Sequence, residues 1–260
     1  MWNDPAFLAL AIPAVVFAGV SKGGFGSGAA FAATPLLALV VDPGAALAVM
    51  LPLLMLVDLA VLRPYWRRWS GPDARLLILG GLPGVLLGAA LWRVAPADVF
   101  RLLIGALALL FVLWQAWGRV ALRPRPAPTP TPAPRATPPP SRGWALLAGT
   151  VAGFTSFVSH AGGPPVAVYL LARGHAKTTY QATTVLVFWA VNLVKAAAFA
   201  ALGLFTAETL AAGLALAPFA LLGAALGVRA HRLVPERLFF AITYALLTVA
   251  GSKLIWDALG

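Results

Sequence analysis

The sequence predicts an all-α, polytopic helical membrane protein made of two inverted repeats. Each repeat is expected to hold one broken helical hairpin and three transmembrane helices. Three observations predict this. Of 260 residues, 61% are hydrophobic and only 10% charged, with a mean hydropathy of +0.88, which leaves too little polar surface for a soluble domain. Six apolar runs, 44–62, 75–94, 98–118, 180–200, 207–227 and 237–256, are each close to the ~20 residues that cross hydrocarbon. Two Gly-rich stretches, "GVSKGGFGSG" at 19–28 and "GFTSFVSHAGGPP" at 153–165, interrupt apolar sequence at corresponding points of the two halves.

The N-terminal stretch "MWNDPAFLALAIPAVVF" carries Asp4 and no basic leader, so a cleaved signal peptide is not expected. Cysteine is absent, which excludes disulfides, thiolate metal sites and a cysteine-based sulfur relay. The net charge of +11 comes from arginines at the ends of apolar runs, a mark of topology rather than of nucleic-acid binding. Residues 119–142, "RVALRPRPAPTPTPAPRATPPPSR", are too rich in proline for a helix and read as an extended cytoplasmic linker. They divide the chain into a first transmembrane repeat, 1–118, and a second, 143–260.

The halves repeat each other. A shift of 134 places Gly19 on Gly153, "LLA" at 36–38 on 170–172, and "VDL" at 57–59 on "VNL" at 191–193. A shift of 135 matches "LLGAAL" at 86–91 with 221–226 and Pro83 with Pro218; a shift of 139 pairs Pro96 with Pro235, Phe100 with Phe239 and Trp117 with Trp256. Loop charges give the orientation. The basic loop 63–75 is cytoplasmic, while its equivalent 202–209 has no base and is external; 41–45 has no base, whereas 172–179 has two and a histidine. Equivalent loops fall on opposite sides, hence an inverted repeat. The loop 93–101 fits less well, because Arg93 and Arg101 would lie outside.

Inversion needs an odd number of crossings per half, so 6–41 and 144–172 must each enter and leave on one side. An arm such as 6–20 reaches about 22 Å, short of the ~30 Å hydrocarbon core. Two hairpins with bends near the midplane are expected, and irregular backbone at that depth is tolerated where it lines a cavity or is buried in protein. The return arms, from Ala29 and from Gly162–Gly163–Pro164–Pro165, would aim helix N-termini at a shared anion site. The candidate substrate-binding residues are Lys22, Gly23, Gly24, Gly26, Ser27, Gly28, Ser156, Ser159, His160, Gly162, Gly163 and Asn192.

Lys22 either holds the anion, snorkels to an interface, or balances an internal carboxylate such as Asp58. His160 is a donor, a titrating group for proton coupling, or a hydrogen-bonded structural residue. Asp58 and His160 are the coupling candidates; Asp58 can pair with Lys22 or carry a proton. Asn192, at the position equivalent to Asp58, orients substrate or links helices. Lys195, one turn further on, steers anions or snorkels. Thr155, Gln181, Thr183 and Thr184 are further donors near the proposed path.

The stretches "AGVSKGGFGSGAAFAATPLLAL" (18–39) and "AGFTSFVSHAGGPPVAVYLL" (152–171), with a variable linker between them, resemble the sulfite exporter TauE/SafE family, also called the toluene-sulfonate uptake permease group. The resemblance spans the whole chain. It implies transport of sulfur-containing anions (sulfite, thiosulfate, sulfonates, sulfoacetate), with 22–35 and 155–165 as the permeation core. The resulting expectation is a multi-pass secondary transporter of small anions in the bacterial inner membrane. Its partners would be a small anionic substrate, a coupling proton or sodium ion and the bilayer, without nucleic acid, cofactor or metal. A passive anion channel is the alternative, and a membrane-embedded enzyme another. An enzyme needs a nucleophile with its base, or a metal cluster, and three histidines at 160, 175 and 231 with no cysteine form neither.

Overall fold

The computed structural model describes residues 4–25, 29–62, 65–121, 140–233 and 235–260. Gly26, Ser27, Gly28 and most of the expected linker, 122–139, lie outside the described residues. The described chain is helical and contains no strand.

Helix α1, Pro5–Val20, opens as its sequence dictates: Asp4 Oδ1 accepts from Ala6 N at 3.0 Å and Pro5 supplies a preset φ. It runs on as a π-helical turn, Ser21–Phe25. The chain then returns through a short 3₁₀ turn, Ala30–Ala32, and α2, Ala33–Leu37. Helices α3 (Pro43–Leu62), α4 (Gly71–Val94) and α5 (Ala97–Ala121) complete the first half. In the second half α6 (Arg142–Ser159), capped by Ser141 Oγ accepting from Trp144 N at 3.2 Å, is followed by the return arm α7 (Gly163–Ala172). Helices α8 (Lys177–Ala201), α9 (Ala207–Leu233) and α10 (Glu236–Leu259) finish the chain.

All six predicted runs are helices, with ends within four residues of expectation except that α9 runs six residues further, to Leu233. Helix α5 continues to Ala121, slightly into the expected linker. The first hairpin differs from expectation in the length of its arms. Its outward arm is a 20-residue apolar span, Pro5–Gly24, about 30 Å long, so it is long enough by itself to cross the hydrocarbon. The helical turns run on past Val20 to Phe25, because the π turn carries them through Lys22, Gly23 and Gly24. With this span, seven helices among the described residues are long and apolar enough to cross a membrane. The return arm is correspondingly short, and α2 has only five residues.

Glycine seams hold the hairpins to the opposite halves. Helix α1 and its π turn pack on α9, and α6 packs on α4; with α5 on α10 these are the closest helix pairs. A Cβ at Gly153 would sit 2.2 Å from Gly81 O, and one at Gly24 would sit 2.1 Å from Gly227 O. Only glycine permits such backbone contact, the usual way for membrane helices to gain packing where no hydrophobic effect draws them together. Large apolar side chains such as Leu86, Leu113, Leu214 and Val249 stand exposed on the outer faces, as a lipid solvent requires. Trp117 and Trp256 are also exposed, near helix ends, where indoles favour the membrane interface. Arg101, which fitted the charge rule poorly, is paired to Asp98 at 2.5 Å.

Candidate functional site

Between the two breaks lies a buried polar cluster drawn from four elements. The π turn supplies Lys22, α3 supplies Asp58, the end of α6 supplies Ser156 and His160, and α8 supplies Asn192 and Lys195. All six are buried, and Lys195 is 0% exposed. Lys22 Nζ meets Asp58 Oδ1 at 2.5 Å and donates to Leu54 O at 3.4 Å. Asn192 Nδ2 donates to the other carboxylate oxygen, Asp58 Oδ2, at 3.4 Å. Lys195 Nζ donates to Ser156 Oγ at 3.1 Å and to Asn192 Oδ1 at 3.4 Å, and lies 3.5 Å from His160 Nδ1. Its ammonium also stands 5.9 Å from the centre of the Phe199 ring.

The local sequence explains how these groups reach one another. A π turn widens the helix by one residue per turn, and Gly23 and Gly24 let it lie against the α9 backbone. In the second break, His160 takes a left-handed conformation with φ 57°. Its N–H bonds to Ser156 O at 3.0 Å, the bond of an αL-type helix end, and that of Ala161 bonds to Thr155 O at 3.2 Å. Glycine is the usual occupant of that position, and a side chain there costs of order 1 kcal/mol. The imidazole is therefore held at the break by strained backbone. Gly162 then caps α7, with Pro164 and Pro165 in its first turn.

A cavity of about 20 Å³ is lined by Lys22, Ser156, His160, Gly163 and Asn192, with Phe31 and Phe188 as apolar walls. That is room for a water or two and too little for a four-atom oxyanion.

Of the sequence candidates, five (Lys22, Ser156, His160, Gly163, Asn192) share this cavity, and Asp58 holds Lys22 at its edge. Gly23 and Gly24 are not in its lining; they serve the seam with α9. Gly162 packs against Ala152 O and Phe188. Ser159 is fully buried, and its hydroxyl has no hydrogen-bond partner among the described residues. The first return arm also offers less than expected, because a five-residue helix carries little of the dipole that a long one does.

Lys195 is the residue that sequence reasoning undervalued. Its spacing of three from Asn192 placed it on the same helix face, and that was the available signal. Thr183 and Thr184 instead satisfy their own helix, donating to Thr179 O and Tyr180 O.

A second cluster was not foreseen. Asp73, 1% exposed at the start of α4, accepts from Tyr169 Oη at 2.7 Å and from Ser70 Oγ at 2.7 Å. It also pairs with Arg173 Nε at 3.0 Å and lies 2.6 Å from His175 Nε2. This carboxylate ties the end of the second hairpin to the loop before α4. The signal was a lone acid in an otherwise basic loop.

Fold and site together define a polytopic helical membrane protein with a buried, lysine-containing site between two broken helices. The family model described as Sulfite exporter TauE/SafE matches residues 11–254, and the chain belongs to that family. The family is one of membrane transporters of small sulfur-containing anions such as sulfite. No curated protein and no solved structure matches the chain.

Proposed function

We propose that the protein is a secondary transporter of small sulfur oxyanions, such as sulfite, sulfonates or sulfoacetate, in the bacterial inner membrane. The observation that carries this reading is the charge of the central cluster: two buried lysines, Lys22 and Lys195, face a single carboxylate, Asp58. Buried charge is costly unless it is compensated. An anion entering between the hairpins supplies the missing negative charge, and Ser156, His160 and Asn192 supply neutral donors. Asp58 and His160 are the groups at the site able to carry a coupling proton, since protonating Asp58 would release Lys22 to the anion.

Transport proceeds by alternating access. The small cavity must open to either side to admit an anion, and the glycine seams suggest which parts move together: the first hairpin with α9, the second with α4. Motion between those two units opens the site that lies where they meet. The inverted repeat is supported by one contact in particular. Asp58 and Asn192, equivalent under the shift of 134, touch each other, as residues on a two-fold axis do.

The test is uptake into proteoliposomes of labelled sulfite, labelled sulfoacetate and a non-sulfur carboxylate, with and without an imposed pH gradient. Saturable uptake of a sulfur anion, steeper with the gradient, is the expected result. Uptake of none of them would refute the proposal, and gradient-independent flux with channel-like currents would favour a passive channel.

A further inference from the structure

Lys195 does not itself line the cavity; its ammonium stands behind three side chains that do. An ammonium has three N–H donors and no acceptor, and Lys195 Nζ faces three acceptors: Ser156 Oγ at 3.1 Å, Asn192 Oδ1 at 3.4 Å and His160 Nδ1 at 3.5 Å. Each acceptor is oriented by being used this way. With Nδ1 facing the ammonium, the neutral imidazole carries its proton on Nε2, an assignment made from the hydrogen-bond network. That Nε2 is buried without a partner among the described residues, in a side chain that lines the cavity. Ser156 Oγ, already accepting, keeps its own O–H to donate. Asn192, with Oδ1 committed, donates one amide N–H to Asp58 and keeps the other. One ammonium thus makes donors of the groups on the cavity wall.

The charge count sets the class of ligand. The ionisable groups that face Lys195 are Lys22, Asp58 and His160. Lys22 is met by Asp58 at 2.5 Å, while Lys195 has no ion pair among the described residues and only neutral acceptors and the Phe199 ring around it. With Lys22 and Lys195 protonated, Asp58 ionised and His160 neutral, the cluster holds one positive charge in excess. We propose that Lys195 acts as a positioning residue that turns Ser156 and His160 into a paired donor set, and that the site so charged takes a monovalent sulfo anion, a sulfonate or hydrogensulfite, in preference to a dianion. A dianion would leave one negative charge unmatched in a buried site, where uncompensated charge is costly. This rests on the proposed transport function.

The experiment uses the full chain in proteoliposomes and counterflow of labelled methanesulfonate, a fixed monoanion, with unlabelled sulfate as competitor. Lys195→Met, Lys195→Arg and Ser156→Ala are compared with the parent chain. The expected result is saturable methanesulfonate exchange that needs at least tenfold more sulfate than methanesulfonate for half-inhibition. Lys195→Met should raise KM about tenfold to a hundredfold, the range for losing charge-assisted hydrogen bonding, and lower the preference for the monoanion; Lys195→Arg should restore most of both. Ser156→Ala should raise KM several-fold with kcat little changed, and it decides the matter if Lys195→Met fails to fold. Sulfate competing as well as methanesulfonate, or an unchanged KM in Lys195→Met or Ser156→Ala, overturns the inference while leaving sulfur-anion transport standing. A parent chain that exchanges no sulfur anion overturns both.

Discussion

Neutralising the central ion pair one partner at a time, and then both together, should give three different stabilities. Lys22 and Asp58 meet at 2.5 Å with side chains 7% and 3% exposed, so each is desolvated and each depends on the other. Removing one partner of such a pair costs about 3–5 kcal/mol, because the remaining charge is left buried. The two single changes are not equivalent here. Asp58→Asn leaves two ammoniums, Lys22 and Lys195, with no carboxylate, and belongs at the top of that range. Lys22→Gln leaves Asp58 with Asn192 as donor and Lys195 one contact further away, and should cost about 1–2 kcal/mol less than Asp58→Asn. The double variant puts two amides of similar size in place of the ions and should recover about 3 kcal/mol or more relative to the sum of the singles. Denaturant unfolding in micelles, followed by tryptophan fluorescence, measures all three. Additive costs, or Lys22→Gln as damaging as Asp58→Asn, would refute the charge count. Lys22→Gln should also impair transport, and normal transport would remove Lys22 from the site.

Three other outcomes follow from the packing. His160→Gly relieves about 1 kcal/mol of left-handed strain but removes an acceptor of the buried Lys195 ammonium, so stability should fall by no more than about 2 kcal/mol, while uptake falls because the imidazole donor is gone; unchanged uptake would make His160 structural. Gly153→Ala places a Cβ 2.2 Å from Gly81 O, where backbone cannot yield, and should cost about 1–3 kcal/mol, read as a lower denaturation midpoint; a neutral result would contradict the α4–α6 seam. Asp73→Asn removes the charge that holds Arg173 and His175 and should speed trypsin cleavage after Arg173, with cleavage at the parent rate as the contrary result.

Hydropathy made the six long helices legible because a membrane leaves little choice of structure for twenty apolar residues. The two breaks were legible too, from clustered glycine and proline. What glycine does not reveal is its neighbour. Gly23 and Gly24 read as backbone laid open to an anion, yet their missing Cβ atoms are needed against α9, and the same need keeps the first arm helical through the lysine. Lys22 paired with Asp58 was one of the alternatives the sequence left open. Choosing among them took the distance between a helix end and a helix 36 residues away. Lys195 and Asp73 escaped for opposite reasons. Lys195 was read only as steering anions or snorkelling, so its burial was hidden. Asp73 sat in a loop whose charge was read only as orientation, while its partners, Tyr169 and His175, come from the other half of the chain.

Trans-stimulation tests the central claim most directly. Vesicles are preloaded with unlabelled sulfur anion, and entry of the labelled anion is timed for the parent chain and for Lys22→Gln. Alternating access at one buried site predicts that preloading accelerates entry several-fold and that Lys22→Gln abolishes the acceleration. Entry unaffected or slowed by preloading, with Lys22→Gln matching the parent, would contradict the account.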